Sequence, residues 1–256
     1  MESFLSWFVV GVFGLAVGSF LNVVIYRIPR GESIVFPSSH CPNCSNELKW
    51  YHNIPLLSWL FLRGRCAYCH EPISPKYPLI EVTNALLWVV VYMKCGLGVE
   101  FLFTASSFSA LLALSTIDFE YYAVPDSVNF FALGSAILIH SGSLFDGSGG
   151  EAFLDSLADA AIASGGLWAI AALIGFAARK EAMGGADVIV AGTMAAILGL
   201  SHFFLAIFLS AILAIVPSAL AKDTKVPFVP FLAISTITVY LFSDKADIIL
   251  SWIMHG

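Results

Sequence analysis

The chain has 256 residues, of which 59% are hydrophobic and only 12% charged, with a mean hydropathy of +0.86 and a formal net charge of −6. An ordinary soluble domain carries about twice that share of charge, and the acidic balance argues against a nucleic-acid surface. What fits is an all-α polytopic membrane protein, whose apolar stretches of about 20 residues each cross a bilayer.

The N-terminus, MESFLSWFVV, has an acid and no basic n-region, so it reads as a retained first span rather than a cleaved signal peptide. Apolar runs lie at roughly 4–26, 79–96, 100–117, 127–141, 156–177, 187–200, 203–221 and 227–243. These are eight candidate spans, helical because backbone polar groups in lipid have no water to bond. The sixth is short, and a turn at Gly199-Leu200-Ser201-His202 separates it from the seventh. One merged span over 187–221 would be too long without a break. Pro217 is expected to kink the seventh span. Gly14 and Gly18, with Asn22 one turn on, give the first span a face suited to close helix contact. No internal repeat is evident.

Residues 27–78 differ from the rest. They hold Arg27, Arg30, Lys49, Arg63, Arg65 and Lys76, six of the twelve Lys and Arg, with four of the five cysteines and seven of the eleven prolines. This is a small polar domain between spans one and two, and the positive-inside rule puts it in the cytoplasm. Alternation then places 118–126, 178–186 (Arg179, Lys180) and 222–226 (Lys222, Lys225) inside. The segments at 94–99 and 142–155 and both termini fall outside, with Lys94 and Lys245 as single exceptions. The domains expected are 1–26, a first transmembrane helix; 27–78, the four-cysteine domain; and 79–256, a transmembrane core.

Within the polar domain, Cys41-Pro-Asn-Cys44 and Cys66-Ala-Tyr-Cys69 form C-x2-C pairs separated by 21 residues. Two such knuckles supply four thiolates for a tetrahedral structural Zn2+ with no open position. Disulfides and redox pairs are the alternatives, and a reducing cytoplasm disfavours structural disulfides. His40, His52 and His70 lie close by but are not needed as ligands. Trp50, Tyr51 and Trp59 are read as packing residues, with adenine stacking as the alternative. Cys95 is read as an unpaired packing residue.

Asp118 ends the third span in LALSTIDFEYYAVPD, and Asp187 begins the sixth in MGGADVIV. The topology puts both at the cytoplasmic boundary, where helix packing can bring them together. Two adjacent carboxylates hold one proton between them, a state suited to peptide hydrolysis. The plain alternative for Asp187 is helix capping. Gly184 and Gly185 permit a strained turn ahead of it. Asp126 reads as a turn or cap residue, Glu151, Asp155 and Asp159 as a solvated face, and Glu81 and Asn84 as bonding partners of neighbouring helices.

The chain resembles the bacterial type IV prepilin peptidases, the leader peptidase/N-methyltransferases. The resemblance covers nearly the whole chain and rests on GSFLNVVIYRIPR (18–30), CPNC, NIPLLSWLFLRGRCAYC (53–69), ISPKYPLIE (73–81), IDFEYYAVPD (117–126), EAMGGAD (181–187) and VPFVPFLA (226–233). It implies a G-x-G-D intramembrane aspartic peptidase of the bacterial inner membrane, with Asp118 and Asp187 catalytic. It also implies prepilin or type II secretion pseudopilin substrates. The enzyme would cut a basic leader after a glycine at the cytoplasmic face, then methylate the new N-terminal amine from S-adenosylmethionine. The cysteine domain belongs to the bifunctional form of the family. Three positions depart from its pattern: Ala186 replaces the second glycine of G-x-G-D, Ile189 the lysine two residues after the second acid, and Val229 the glycine before the proline. No Gly-rich cofactor signature is visible. The partners implied are pilin-type proteins and membrane lipid, with no nucleic acid. The rival reading is a non-catalytic transporter or metal-responsive scaffold using the same acids as ion or proton ligands.

Overall fold

In the computed structural model the described residues are 2–145, 149–178, 184–220 and 226–255. Asp146 and the loops bearing Arg179, Lys180, Lys222 and Lys225 lie outside them. Nine α-helices are described: α1 (Glu2–Arg27), α2 (Leu57–Phe61), α3 (Lys76–Cys95), α4 (Val99–Tyr121), α5 (Asp126–Leu138), α6 (Glu151–Ala178), α7 (Gly185–Leu220), α8 (Val229–Leu241) and α9 (Ser243–His255). Among the described residues β-structure is limited to two isolated antiparallel bridges, His40 with Glu47 and Arg65 with Pro72.

The all-helical class agrees with the sequence. Five helices are long and apolar enough to cross a membrane: α1 with its short extension to Arg30, α3, α4, α6 and α7. The apolar helices α5 and α8 have 13 residues each. At 1.5 Å per residue they are about 20 Å long, short of a bilayer core of about 30 Å. The expected turn near residue 199 is present as a break inside α7. Gly199 has φ +74° and ψ 158°, the only non-helical dihedrals in that helix. Pro217 lies within the helix, so the interruption belongs to Gly199. The helix α9 has no counterpart among the apolar runs; its Asp244, Lys245 and Asp247 interrupt the apolar residues.

The chain divides into two compact units, Met1–Met93 and Lys94–Gly256. In the first, α1 and α3 pack at very short range. A Cβ on Gly14 would meet the Ala85 Cα at 2.7 Å, and one on Gly18 would meet the Glu81 Cα at 2.7 Å. The approach is sealed by side chains as the sequence anticipated. Fully buried Asn84 donates from Nδ2 to the Gly14 carbonyl at 2.8 Å, and Asn22 donates to the Tyr77 carbonyl at 3.1 Å. Buried Glu81 accepts from the Leu56 N–H at 2.7 Å, where Leu56 has φ +59° at the start of α2.

In the second unit, α7 is the hub. It packs on α5, α6, α8 and α9, while α4 packs on α5 and α8. The core is small and apolar: Ala105, Phe108, Leu111, Leu114, Ile117, Ala132, Val190, Met194 and Leu232 are all buried. Lys94, an exception to the charge map, has a structural partner. Its Nζ bonds the Tyr240 carbonyl and, at 2.8 Å, the Ser243 hydroxyl. It thus places a cation at the C-terminal end of α8, where the helix dipole favours one.

Candidate active site

Asp118 sits in the last turn of α4, whose end is closed by the Tyr122 N–H donating to the Asp118 carbonyl at 2.9 Å. Its side chain is buried, and Oδ2 accepts from the Val229 N–H at 3.1 Å. Asp187 is the third residue of α7 and is half-buried. Its N–H donates to the Gly184 carbonyl at 3.1 Å, and its carboxylate lies in the first turn, on the positive end of the helix dipole.

The two acids come from helices joined through shared neighbours, since α5 and α8 each pack on both α4 and α7. The segment Phe228-Val229 touches both environments. Phe228 lines a groove with Asp187, Gly184, Leu167, Ile170, Ala171 and Ile174, of about 460 Å³, while Val229 donates to Asp118. Residues 167, 170, 171 and 174 form one face of α6, so the groove is an apolar helical wall with a carboxylate at its edge.

Three residues of this site carry signals that are absent or faint in the sequence. Asn129 of α5 is fully buried and donates from Nδ2 to the Ala186 carbonyl at 3.0 Å. It ties α5 to the first turn of α7, one residue from Asp187. An amide in an apolar helix is the signal that marks it. Phe228 and Val229 act through position and backbone, and nothing in their side chains announces that.

The departures from the family pattern have physical readings. Val229 is buried and contributes its backbone N–H, which any residue but proline supplies. Ala186 is helical with no positive φ, so its methyl costs no backbone strain. Neither Gly184 nor Gly185 uses the left-handed freedom that could permit a strained turn there, since neither has positive φ. A Cβ on Gly184 would lie 3.5 Å from Asp187 Oδ2, an ordinary contact.

The four-cysteine cluster lies in the first unit. The Sγ atoms of Cys41, Cys44, Cys66 and Cys69 all lie within 4.8 Å of one another, and none is in a disulfide. No histidine joins the cluster among the described residues. Tetrahedral Zn–S bonds of about 2.3 Å require sulfur–sulfur separations of about 3.8 Å, and Cys41 Sγ to Cys69 Sγ is 3.8 Å. The donor set and spacing therefore fit a thiolate-bound cation.

The two knuckles expected from the C-x2-C pairs also repeat one another in backbone geometry. Cys41 N–H donates to the Asn46 carbonyl at 3.0 Å, and Cys66 N–H to the Glu71 carbonyl at 2.9 Å. Ser45 N–H returns to the Cys41 carbonyl and His70 N–H to the Cys66 carbonyl. Ser45 and His70 share positive φ, +55° and +60°. Other N–H groups of the knuckles face sulfur: those of Cys69 and Tyr68 lower the Cys66 thiol to about 7, and that of Asn46 lowers Cys44, whereas burial and the neighbouring sulfurs raise Cys69 to about 11.

Of the aromatic residues beside the knuckles, Trp59 is committed to packing: its indole N–H donates to the Ile73 carbonyl at 3.1 Å and its ring lies against Gly64. Trp50 is 79% exposed, with Tyr51 edge-on at 5.6 Å.

Membrane-length helices, two acids in one helical unit and a four-sulfur cluster in the other define a membrane protein of the A24 peptidase class. Residues 12–95 match the Bacterial Peptidase A24 N-terminal domain, and residues 105–219 match the Type IV leader peptidase family. Similar over nearly full length is the Prepilin leader peptidase/N-methyltransferase of Legionella pneumophila, 30% identical over 96% of this chain and 94% of the relative. That of Neisseria gonorrhoeae is 33% identical over 94% and 92%. That of Myxococcus xanthus is 43% identical over 59% of this chain and 44% of the relative. No solved structure matches at a significant level. The chain belongs to the type IV leader peptidase family, and its apolar helices with this membership mark it as an inner-membrane enzyme.

Proposed function

We propose that the chain cleaves the leader of prepilins or pseudopilins with Asp118 and Asp187 acting as one unit, then methylates the new N-terminus. The observation that carries the reading is the shared segment Phe228-Val229: one residue lines the groove at Asp187, and the next donates to Asp118.

In this mechanism the pair holds a single proton. The ionised carboxylate takes a proton from water as the water oxygen attacks the scissile carbonyl carbon. The protonated partner gives its proton to the carbonyl oxygen. Collapse of the tetrahedral adduct breaks the C–N bond, the amine leaves with a proton from the dyad, and no covalent enzyme intermediate forms. The apolar α6 wall holds the substrate's apolar segment.

The membrane arrangement has eight crossings, with α7 counted as two at the Gly199 break and the short α5 and α8 each crossing where the bilayer thins to match them. The acids and residues 27–78 face the cytoplasm. Residues 27–78 form the domain associated with methyl transfer, and the proteolytic residues lie within 79–256. The four thiolates hold Zn2+ as a closed structural site, which orders the knuckles. S-adenosylmethionine, when bound, supplies the methyl group to the free amine.

The test uses purified protein in detergent with a prepilin-like peptide. Asp118→Asn and Asp187→Asn each abolish leader removal while zinc content stays at about one per chain. Full cleavage by either variant excludes that residue from the pair.

A further inference from the structure

After the last turn of α1 the chain turns back on itself. Gly31, at φ +69°, reverses it, and the Glu32 N–H donates to the Arg27 carbonyl at 3.1 Å. Buried Arg27 then reaches into the returning loop. Its guanidinium donates to the carbonyls of Ser33 at 2.9 Å, Pro37 at 2.7 Å and Ser38 at 3.4 Å. Residues 33–38 are therefore held within one arginine side chain of the end of α1.

The tip of that loop is ordered and apolar. Ser33 Oγ accepts from the Val35 N–H at 3.2 Å and the Phe36 N–H at 3.3 Å. Ile34, Val35 and Phe36 follow one another with 37%, 67% and 75% of their surface exposed. Three consecutive exposed apolar side chains on a fixed backbone are an unusual surface for water. Beside them Arg30 is exposed, its guanidinium 3.8 Å from the Tyr26 ring centre and bonded to the Tyr26 carbonyl at 2.5 Å.

Depth identifies the occupant. Helix α1 has 26 residues, about 39 Å at 1.5 Å per residue, which exceeds a hydrocarbon core of about 30 Å. Its last turn therefore reaches the headgroup level, where Tyr26 and Arg27 are interfacial residue types. The Arg27 clamp keeps the loop at that same level. Apolar tips there enter the acyl boundary, and the neighbouring Arg30 matches anionic headgroups.

We infer that Ile34-Val35-Phe36 is a lipid anchor, locked by Arg27, that inserts beside α1 into the leaflet containing anionic lipid. It fixes the start of the four-cysteine segment against the bilayer surface. The inference needs α1 in the membrane and is independent of the peptide chemistry proposed above.

The test uses the full chain in vesicles of phosphatidylethanolamine and phosphatidylglycerol. Phe36→Trp adds one indole, read as the difference from the wild type with its six tryptophans; Val35→Trp serves if the first variant folds poorly. The added emission is expected to lose most of its intensity when acyl chains are brominated near the carbonyl. It should lose less with bromine near the chain end, and little with aqueous acrylamide. Quenching by acrylamide with no response to brominated lipid overturns the anchor. So does an indole that is lipid-insensitive alone and shielded only when a prepilin peptide is added, which would make the tip a substrate contact.

Discussion

Replacing Asn129 with leucine separates a positioning role from a structural one. Asn129 is fully buried, makes one described side-chain hydrogen bond, to the Ala186 carbonyl at 3.0 Å, and leaves its Oδ1 without a partner. Leucine keeps the branched shape but is larger, so the change crowds the site and opens no cavity. The lost bond is worth about 1 kcal/mol net, and removing the unpaired Oδ1 offsets part of that cost. Crowding sets the stability change, a loss of about 1–3 kcal/mol. Catalysis should fall separately, because the bond fixes the turn that carries Asp187. If about 1 to 1.4 kcal/mol of alignment is lost in the transition state, kcat falls about five- to tenfold. The assay is steady-state cleavage of a prepilin-like peptide in detergent, with thermal unfolding measured on the same preparation. A fall in kcat at constant KM, in protein that is still fully folded at the assay temperature, supports the role. A kcat within twofold of wild type refutes the claim that this bond sets Asp187.

Gly18→Ala forces a Cβ to 2.7 Å from the Glu81 Cα, whereas Gly11→Ala meets only Val89 Cγ2 at 3.6 Å. The first should destabilise by about 1–3 kcal/mol and the second far less, which paired thermal scans in detergent will show. Ile170→Trp should crowd the groove beside Asp187 and raise KM with little change in stability, read from the same cleavage assay. Metal should be lost from the cysteine cluster as pH falls, because each ligand must be deprotonated to bind. The Cys66 thiol, lowered to about 7 before metal binds, regains its proton on acidification and competes with the ion; retention of metal in mild acid against a chelator would contradict thiolate ligation.

What was legible in the sequence was whatever depends on side-chain type at short range. Cys41, Cys44, Cys66 and Cys69 announce themselves because a thiolate site needs those atoms at that spacing. Asp118 and Asp187 stand out because an acid in an apolar helix is costly without a purpose. Gly14 and Gly18, with Asn22, were readable as a close helix contact for the same local reason, and Asn84 as a bonding partner of a neighbouring helix. The repeat of the knuckles was hidden because it is written in backbone hydrogen bonds, while Ser45 and His70, which share its left-handed turn, have unlike side chains. The helix α9 was missed because its charges break the apolar run, although Ile248, Ile249 and Trp252 give it an exposed apolar surface. Helix lengths for α5 and α8 were overestimated because hydropathy does not mark where a turn stops the helix.

The backbone also explains how positions so near the acids can tolerate substitution. Asp118 takes its hydrogen bond from the N–H of Val229, not from a side chain. Asn129 takes the carbonyl of Ala186, not its Cβ. A substitution at either position leaves both groups in place, provided the residue fits the local φ and the packing. Valine fits because the site is buried and apolar, and alanine because it is helical. The constraint then falls on the path of the chain through 184–187 and 228–229. Proline at 229, which removes the N–H that donates to Asp118 Oδ2, should damage the site more than any change from valine to another small apolar residue.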